Sequence, residues 1–226
     1  MIVLAITIIV VSIASLIAAS FIMSWGLFLK SYCGERLENS KEVMLTFDDG
    51  PHPDHTQEVL DVLKKRGVRA LFFLIGERAL EYPEIVKRIS DDGHIIGVHS
   101  LRHTPEFTIL SAKMVKKDLE ASIKILEDLS GQRVNLFRPP YGVTNPSIGK
   151  AVKELNLKSI GWNVRSFDTM CENDTDRALK RVLKRVSGGS IILLHDRLKN
   201  SAGLLEKLLD YLEENGYYAK IFSKVL

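Results

Sequence analysis

Two adjacent carboxylates follow the first apolar run in the charged part of the chain. The run Val43–Phe47 reads as a buried strand, Asp48 and Asp49 close it, and Gly50–Pro51 breaks it. Side chains alternate along a strand, so the two aspartates are expected to differ in role. One can hold a metal while the other keeps a free carboxylate for proton transfer. His99 and His103 are four residues apart, a spacing that one helical turn would bring to a single face. Two imidazoles and one aspartate around an open position suit catalytic zinc. The same ligand types also suit a two-histidine, one-carboxylate iron site. Ser100 stands where an HExxH protease would carry its glutamate base. A second carboxylate and a distant histidine favour hydrolysis, with His195 as general acid and Asp196 beside it. His52, His55 and His94 read as loop or turn residues.

These side chains need a scaffold that gathers strand ends. Apolar runs predict strands over Val43–Phe47, Ala70–Ile75, His94–Val98, Leu136–Phe137, Ser159–Val164 and Ile191–Leu194, with Tyr218–Phe222 closing the chain. Helical spacing predicts helices over Pro53–Arg66, Glu81–Asp92, Ser111–Leu129, Pro146–Leu155, Thr175–Val186 and Ala202–Glu214. This alternation predicts a parallel α/β fold with right-handed crossovers. No GxGxxG and no phosphate loop follows the first strand, so a barrel is preferred to an open dinucleotide-binding sheet. Polar clusters then fall at successive strand ends: Asp48–Asp49, His99–His103, Arg138–Gly142, Trp162–Asp168 and His195–Asp196. In a barrel they converge on one mouth.

The 226 residues allow one domain, or one domain with an appendage. A net charge of +3 with mixed signs gives no reason to expect a nucleic-acid partner. Cys33 and Cys171 are far apart and lack CxxC spacing, which argues against a disulfide scaffold and a cysteine zinc site. The 31 Lys and Arg and the 28 Asp and Glu all lie from Lys30 onward. Ile2–Leu29 is uncharged; as one helix its 28 residues would be roughly 42 Å long, against a hydrocarbon core of about 30 Å. It lacks the basic start and short apolar core of a signal peptide. Residues 1–30 therefore read as an uncleaved single-pass anchor that meets the membrane through residues 2–29, with Trp25 and Tyr32 at the interface. Residues 31–41 read as a linker and 42–226 as the domain. Lys30, Arg36 and Lys41 follow the apolar run, and the positive-inside rule would place the domain in the cytoplasm.

From about residue 42 to 226 the chain resembles the NodB-homology polysaccharide deacetylases, carbohydrate esterase family four. Thr46–Gly50 looks like the first family motif, His99–His103 the second, Arg138–Tyr141 the third and Leu193–His195 the fifth. The resemblance implies a distorted (β/α)7 barrel and metal-dependent removal of N-acetyl groups from an amino-sugar polymer or oligosaccharide. It implies Asp48 as general base, and Asp49, His99 and His103 as ligands of one divalent ion, zinc first, with cobalt or another divalent ion as alternatives. Arg138 would orient the base, the Tyr141 backbone N–H would face the oxyanion, Leu193 would line the acetyl pocket, and His195 would be the acid. The fourth motif departs: the family's Asp-x-x-Asp-Trp is here Arg165-Ser166-Phe167-Asp168-Thr169. Asp168 is expected to take over support of His195, directly or by neutralising Arg165. The freed Arg165 would then face an anionic sugar. The alternative is that Arg165 points to solvent and Asp196 alone supports the histidine. Because the family's polymers lie outside the cell, the resemblance implies an extracytoplasmic domain, against the flanking charges. Two further readings are a glycan-binding domain that has lost turnover, and a deacylase of a lipid-linked sugar at the cytoplasmic face.

Overall fold

The computed structural model describes residues 1–172 and 174–226. The chain begins with helix α1 (Ile2–Phe21) and a short strand β1 (Ser31–Tyr32). The barrel proper starts at β2 (Glu42–Asp48), followed by α2 (His55–Lys65), β3 (Leu71–Leu74), α3 (Gly76–Glu81), α4 (Pro83–Asp91) and β4 (Ile95–Val98). Then come α5 (Ala112–Ser130), β5 (Leu136–Phe137), α6 (Pro146–Glu154), β6 (Lys158–Ile160) and β7 (Val164–Arg165). Helix α7 (Thr175–Leu183), β8 (Ser190–His195), α8 (Ser201–Glu214) and β9 (Tyr218–Ala219) complete it. The strands run in the order β1-β6-β5-β4-β3-β2-β8-β7, with β9 added on β2, and every ladder is parallel. The sheet curls into a half-barrel whose two ends, β1 and β7, stay unjoined. This is the parallel α/β barrel preferred from the alternation, in the distorted form that the resemblance implies.

Alternation along β2 divides the core. Val43, Leu45 and Phe47 face the helices and pack with residues such as Leu60, Phe72 and Leu119. Met44 faces inward and packs with Leu71, Phe73, Leu136, Ile160 and Ile191. Thr46 and Asp48, also inward by this period, are buried with the fully buried Arg138, whose guanidinium lies 4.2 Å over the Phe73 ring. The barrel interior is therefore plugged by an arginine that reaches up to the first aspartate.

Three differences from the sequence reading have local causes. The apolar run Ser159–Val164 is two strands, β6 and β7, at different positions in the sheet path. Arg138 takes the carbonyls of Ile160 and Gly161 at 3.0 and 2.8 Å, so the chain cannot continue its ladder there. The helix expected from Glu81 begins at Pro83, and the six-residue α3 precedes it. Helix α1 stops at Phe21 instead of running to Leu29. The Ser20 carbonyl is taken by the Thr144 N–H at 2.8 Å, a 3₁₀ turn follows at Met23–Trp25, and Gly26 sits at φ +63°. Its 20 residues span about 30 Å as a helix, enough for a membrane crossing by length and composition. Met23 and Leu29 are buried against the domain, and β1 pairs with β6.

Candidate active site

The strand register fixes the first two groups. Asp48 ends β2 and pairs directly with His195, which ends β8. Adjacent strands lie about 4.8 Å apart, so a carboxylate and an imidazole are neighbours before any loop is considered. Asp49 follows the strand end and adopts φ +72°, which swings it out of the strand alternation and into the mouth. The two aspartates thus differ in partners, not in the face of the sheet they occupy.

His99 and His103 meet through a bent loop, not a helical turn. Ser100 and His103 adopt φ +72° and +55°, and their neighbours hold the bend. The Ser100 Oγ accepts the His103 N–H at 2.9 Å, and Asp118 accepts the Leu101 N–H at 2.8 Å. The two rings come to 4.7 Å between centroids. His99 Nδ1 lies 2.7 Å from the Arg138 carbonyl, which can only accept, so its proton sits there and Nε2 keeps its lone pair. Asp49 Oδ1 is 3.5 Å from His99 Nε2 and 3.3 Å from His103 Nε2. That oxygen is buried with no hydrogen-bond partner. One ligand atom from each of the three residues lies within 4.8 Å of the others, and the donor set fits a divalent cation. Arg197 donates from Nε to Asp49 Oδ2 at 3.0 Å, which leaves Oδ1 for the imidazole side. Burial alone would raise the Asp49 carboxyl, but His99, His195 and His103 outweigh it and hold it below the carboxylate range. Burial, with His99 close by, lowers His103 to about 4, so it is neutral at pH 7 and free to ligate.

Asp48 Oδ1 accepts from Arg138 Nη1 at 2.7 Å, and the same nitrogen donates to Thr46 Oγ1 at 2.8 Å. Burial lowers the Arg138 pKa, and Asp48 works against that shift. His195 Nδ1 donates to Asp168 Oδ1 at 2.7 Å, and the His195 backbone N–H donates to Asp168 Oδ2 at 2.8 Å. The left-handed Phe167, at φ +55°, turns the chain so that Asp168 comes under the ring. Burial disfavours the His195 imidazolium, yet the Asp168 bond outweighs it and the pKa lies above the usual histidine value. Asp196 does not support His195; it accepts from Thr56 Oγ1 at 2.5 Å, and burial raises it to about 7.

A cavity of about 210 Å³ joins these groups, and Tyr141, Trp162, Arg165, Leu193 and Arg197 also line it. Tyr141, at φ +60°, donates its hydroxyl to the His103 carbonyl at 2.9 Å. Arg165 has no ion pair with Asp168 or His195 among the described residues. Its guanidinium lies 4.6 Å over Phe167 and 5.7 Å from the Trp162 ring, with a buried, unpartnered Nε. It therefore neither neutralises Asp168 nor turns wholly to solvent. The Arg197 contact was not read from the sequence, although its place two residues beyond His195 at a strand end was a signal. His94 sits in the loop just before β4, as expected, but it is buried, and its Nδ1 accepts the Ala70 N–H at 3.1 Å.

Comparison with known proteins agrees with this architecture. A family model described as polysaccharide deacetylase matches residues 36–160. The chain is 34% identical over 203 residues to the peptidoglycan-N-acetylmuramic acid deacetylase PdaA of Bacillus subtilis, covering 88% of this chain and 77% of that protein. It is similar to the crystal structure of a peptidoglycan N-acetylglucosamine deacetylase, with TM-score 0.79 and 32% identity, over 87% of this chain and 92% of the other. It is also similar to a family 4 pseudoenzyme from Bacillus anthracis, with TM-score 0.76 and 28% identity, over 84% of this chain and 66% of the other. The chain belongs to the polysaccharide deacetylase family, with the curled half-barrel of carbohydrate esterase family 4.

Proposed function

We propose that the chain is a metal-dependent de-N-acetylase of the amino sugars in a peptidoglycan-type polymer. One observation carries this reading: an Arg138-held carboxylate, a three-residue ligand set and an Asp168-held imidazole converge on one cavity. The family also contains a pseudoenzyme, so membership alone does not argue for turnover. The complete set of groups does. Relatives named for N-acetylmuramic acid and N-acetylglucosamine support an N-acetylated wall glycan as substrate.

Asp49, His99 and His103 would hold the cation, zinc being the first choice for two nitrogens and one oxygen. When bound, it supplies Lewis-acid polarisation of an amide carbonyl and acidification of water. Asp48, fixed by Arg138, takes a proton from the attacking water. The Tyr141 N–H faces the developing oxyanion. His195, protonated and held by Asp168, gives its proton to the departing amine. The amide C–N bond breaks, water's oxygen leaves in acetate, and the sugar keeps a free amine. Leu193 lines the acetyl pocket, and Arg165, stacked and facing the cavity, favours a sugar bearing a carboxylate or phosphate.

Helix α1 is read as a single-pass anchor, with the domain outside the cytoplasm beside its wall substrate. The test is acetate release from N-acetylated peptidoglycan fragments and chito-oligosaccharides, with and without chelator. Chelator-sensitive acetate release is expected. Tight glycan binding with no acetate released would instead identify a glycan-binding domain.

A further inference from the structure

We propose that the mouth of the barrel rests on a membrane surface, so that the sugar it takes is one tethered to that membrane through a lipid. Helix α1 meets the domain at the rim of the mouth. Thr144 binds its last turn twice, N–H to the Ser20 carbonyl at 2.8 Å and Oγ1 to the Ala19 carbonyl at 3.4 Å. Thr144 is three residues beyond Tyr141, which lines the catalytic cavity, and three residues of chain reach at most about 11 Å. Met23 is buried close to Gly142 and Gly161, and Gly142 packs on Trp162 of the cavity wall. The end of the apolar helix is therefore fixed to the wall of the site itself, while residues 2–17 stay exposed along their whole length.

The rim also carries exposed apolar side chains among charged ones such as Arg102 and Glu106. Asn145 binds the Thr108 carbonyl at 2.7 Å, and the next residue, Ile109, is 83% exposed. Met170 is 74% exposed in the turn that begins at Asp168, and Met114 and Tyr141 are exposed as well. Ile109, Tyr141 and Met170 lie in connections that follow strands, and Met114 in the first turn of α5, hence on the face that holds the cavity. Single exposed apolar residues are ordinary, but a set on one face beside an apolar helix fits insertion into the lipid interface. Lys113 and Lys117, both exposed, flank Met114 and suit anionic headgroups. The substrate half of the proposal rests on the deacetylase reading; the placement half does not.

The experiment uses the full chain in vesicles of phosphatidylcholine and phosphatidylglycerol carrying a nitroxide lipid. Ile109→Cys, Met170→Cys and, at the far end of α8, Asn215→Cys are labelled singly with a fluorophore; the native Cys33 and Cys171 are buried. Strong quenching at 109 and 170 and little at 215 is expected; equal quenching at all three overturns the placement. Met114→Cys gives the same reading if either rim variant fails to fold. In the same vesicles, acetate release is compared for a soluble N-acetylchito-oligosaccharide and the same sugar on a lipid. The tethered sugar is expected to react at least about tenfold faster at equal bulk concentration. A Gly-Ser linker of about 20 residues after Phe21, with a reach of about 25 Å, should abolish that advantage and spare the soluble rate. Equal rates without the linker overturn the tethered-substrate inference. Acetate from neither sugar, with the quenching pattern intact, tells against the deacetylase reading alone.

Discussion

His195 can act as an acid near neutral pH only while a carboxylate holds its Nδ1 proton, and here that carboxylate is Asp168. The pair raises the imidazole pKa, and the proposed mechanism uses its protonated form. In Asp168→Asn the pKa falls, so the alkaline limb of kcat against pH should move to lower pH, with kcat down by on the order of 10². An unmoved limb would reduce Asp168 to packing. Arg165 touches neither partner, so Arg165→Gln should leave the limb in place and raise KM for anionic sugars only. The two aspartates should separate in a second assay: Asp49→Asn loses about one bound metal per chain, whereas Asp48→Asn keeps it and loses turnover. Retained metal in a His99→Ala, His103→Ala protein would refute the ligand set. The clustering of the carboxylates and imidazoles was legible because residue type and strand-end position carry it. The stacking of Arg165 was not, because it depends on the left-handed turn at Phe167, which no periodicity announces.

At the scale of elements, the segment between α1 and β2 belongs to the barrel more than to the membrane. Met23 and Leu29 are buried, β1 extends the sheet, and the Phe28 carbonyl packs where a side chain on Gly149 would have to sit. Removing residues 1–21 should therefore give a stable soluble domain. Removing residues 1–30 also deletes both buried side chains and should cost a further 2–5 kcal/mol, roughly the range for emptying one core site. Gly149→Ala should lower the unfolding midpoint by a strain of about 1–3 kcal/mol. Equal thermal midpoints for the two truncations would show that the segment only rests on the surface. Here the sequence misleads for a physical reason. An apolar run looks alike whether it is exposed or meets a core, and uncharged Ile2–Leu29 joins an exposed helix to the buried Met23 and Leu29. Likewise Ser159–Val164 looks like one strand because the guanidinium that breaks it, on Arg138, comes from a distant part of the chain. The long alternating elements were legible since each carries its own period.

Across the whole molecule, two buried groups set opposite responses of stability to pH. His94 is buried between α4 and β4, and burial lowers its pKa to about 4. As pH falls from 6.5 to about 4 the unfolded chain takes up this proton and the folded chain does not, so stability drops by about 3 kcal/mol. Asp196 is buried behind Gly50, and burial raises its pKa to about 7. As pH rises from 3.8 to about 7 the unfolded chain releases this proton and the folded chain keeps it, so stability drops by about 4 kcal/mol in the other direction. Over the shared window the two contributions nearly cancel. Removing either one should uncover the other. In Asp196→Asn, which keeps an acceptor for Thr56, stability relative to the parent should rise as pH rises through the window. In His94→Asn, which keeps an acceptor for the Ala70 N–H, it should rise as pH falls. Urea unfolding of the parent and both variants across this window decides the matter, with m-values checked for constancy. Two difference curves of the same sign, or two flat ones, would mean that these groups gain or lose protons in the folded state as freely as in the unfolded chain.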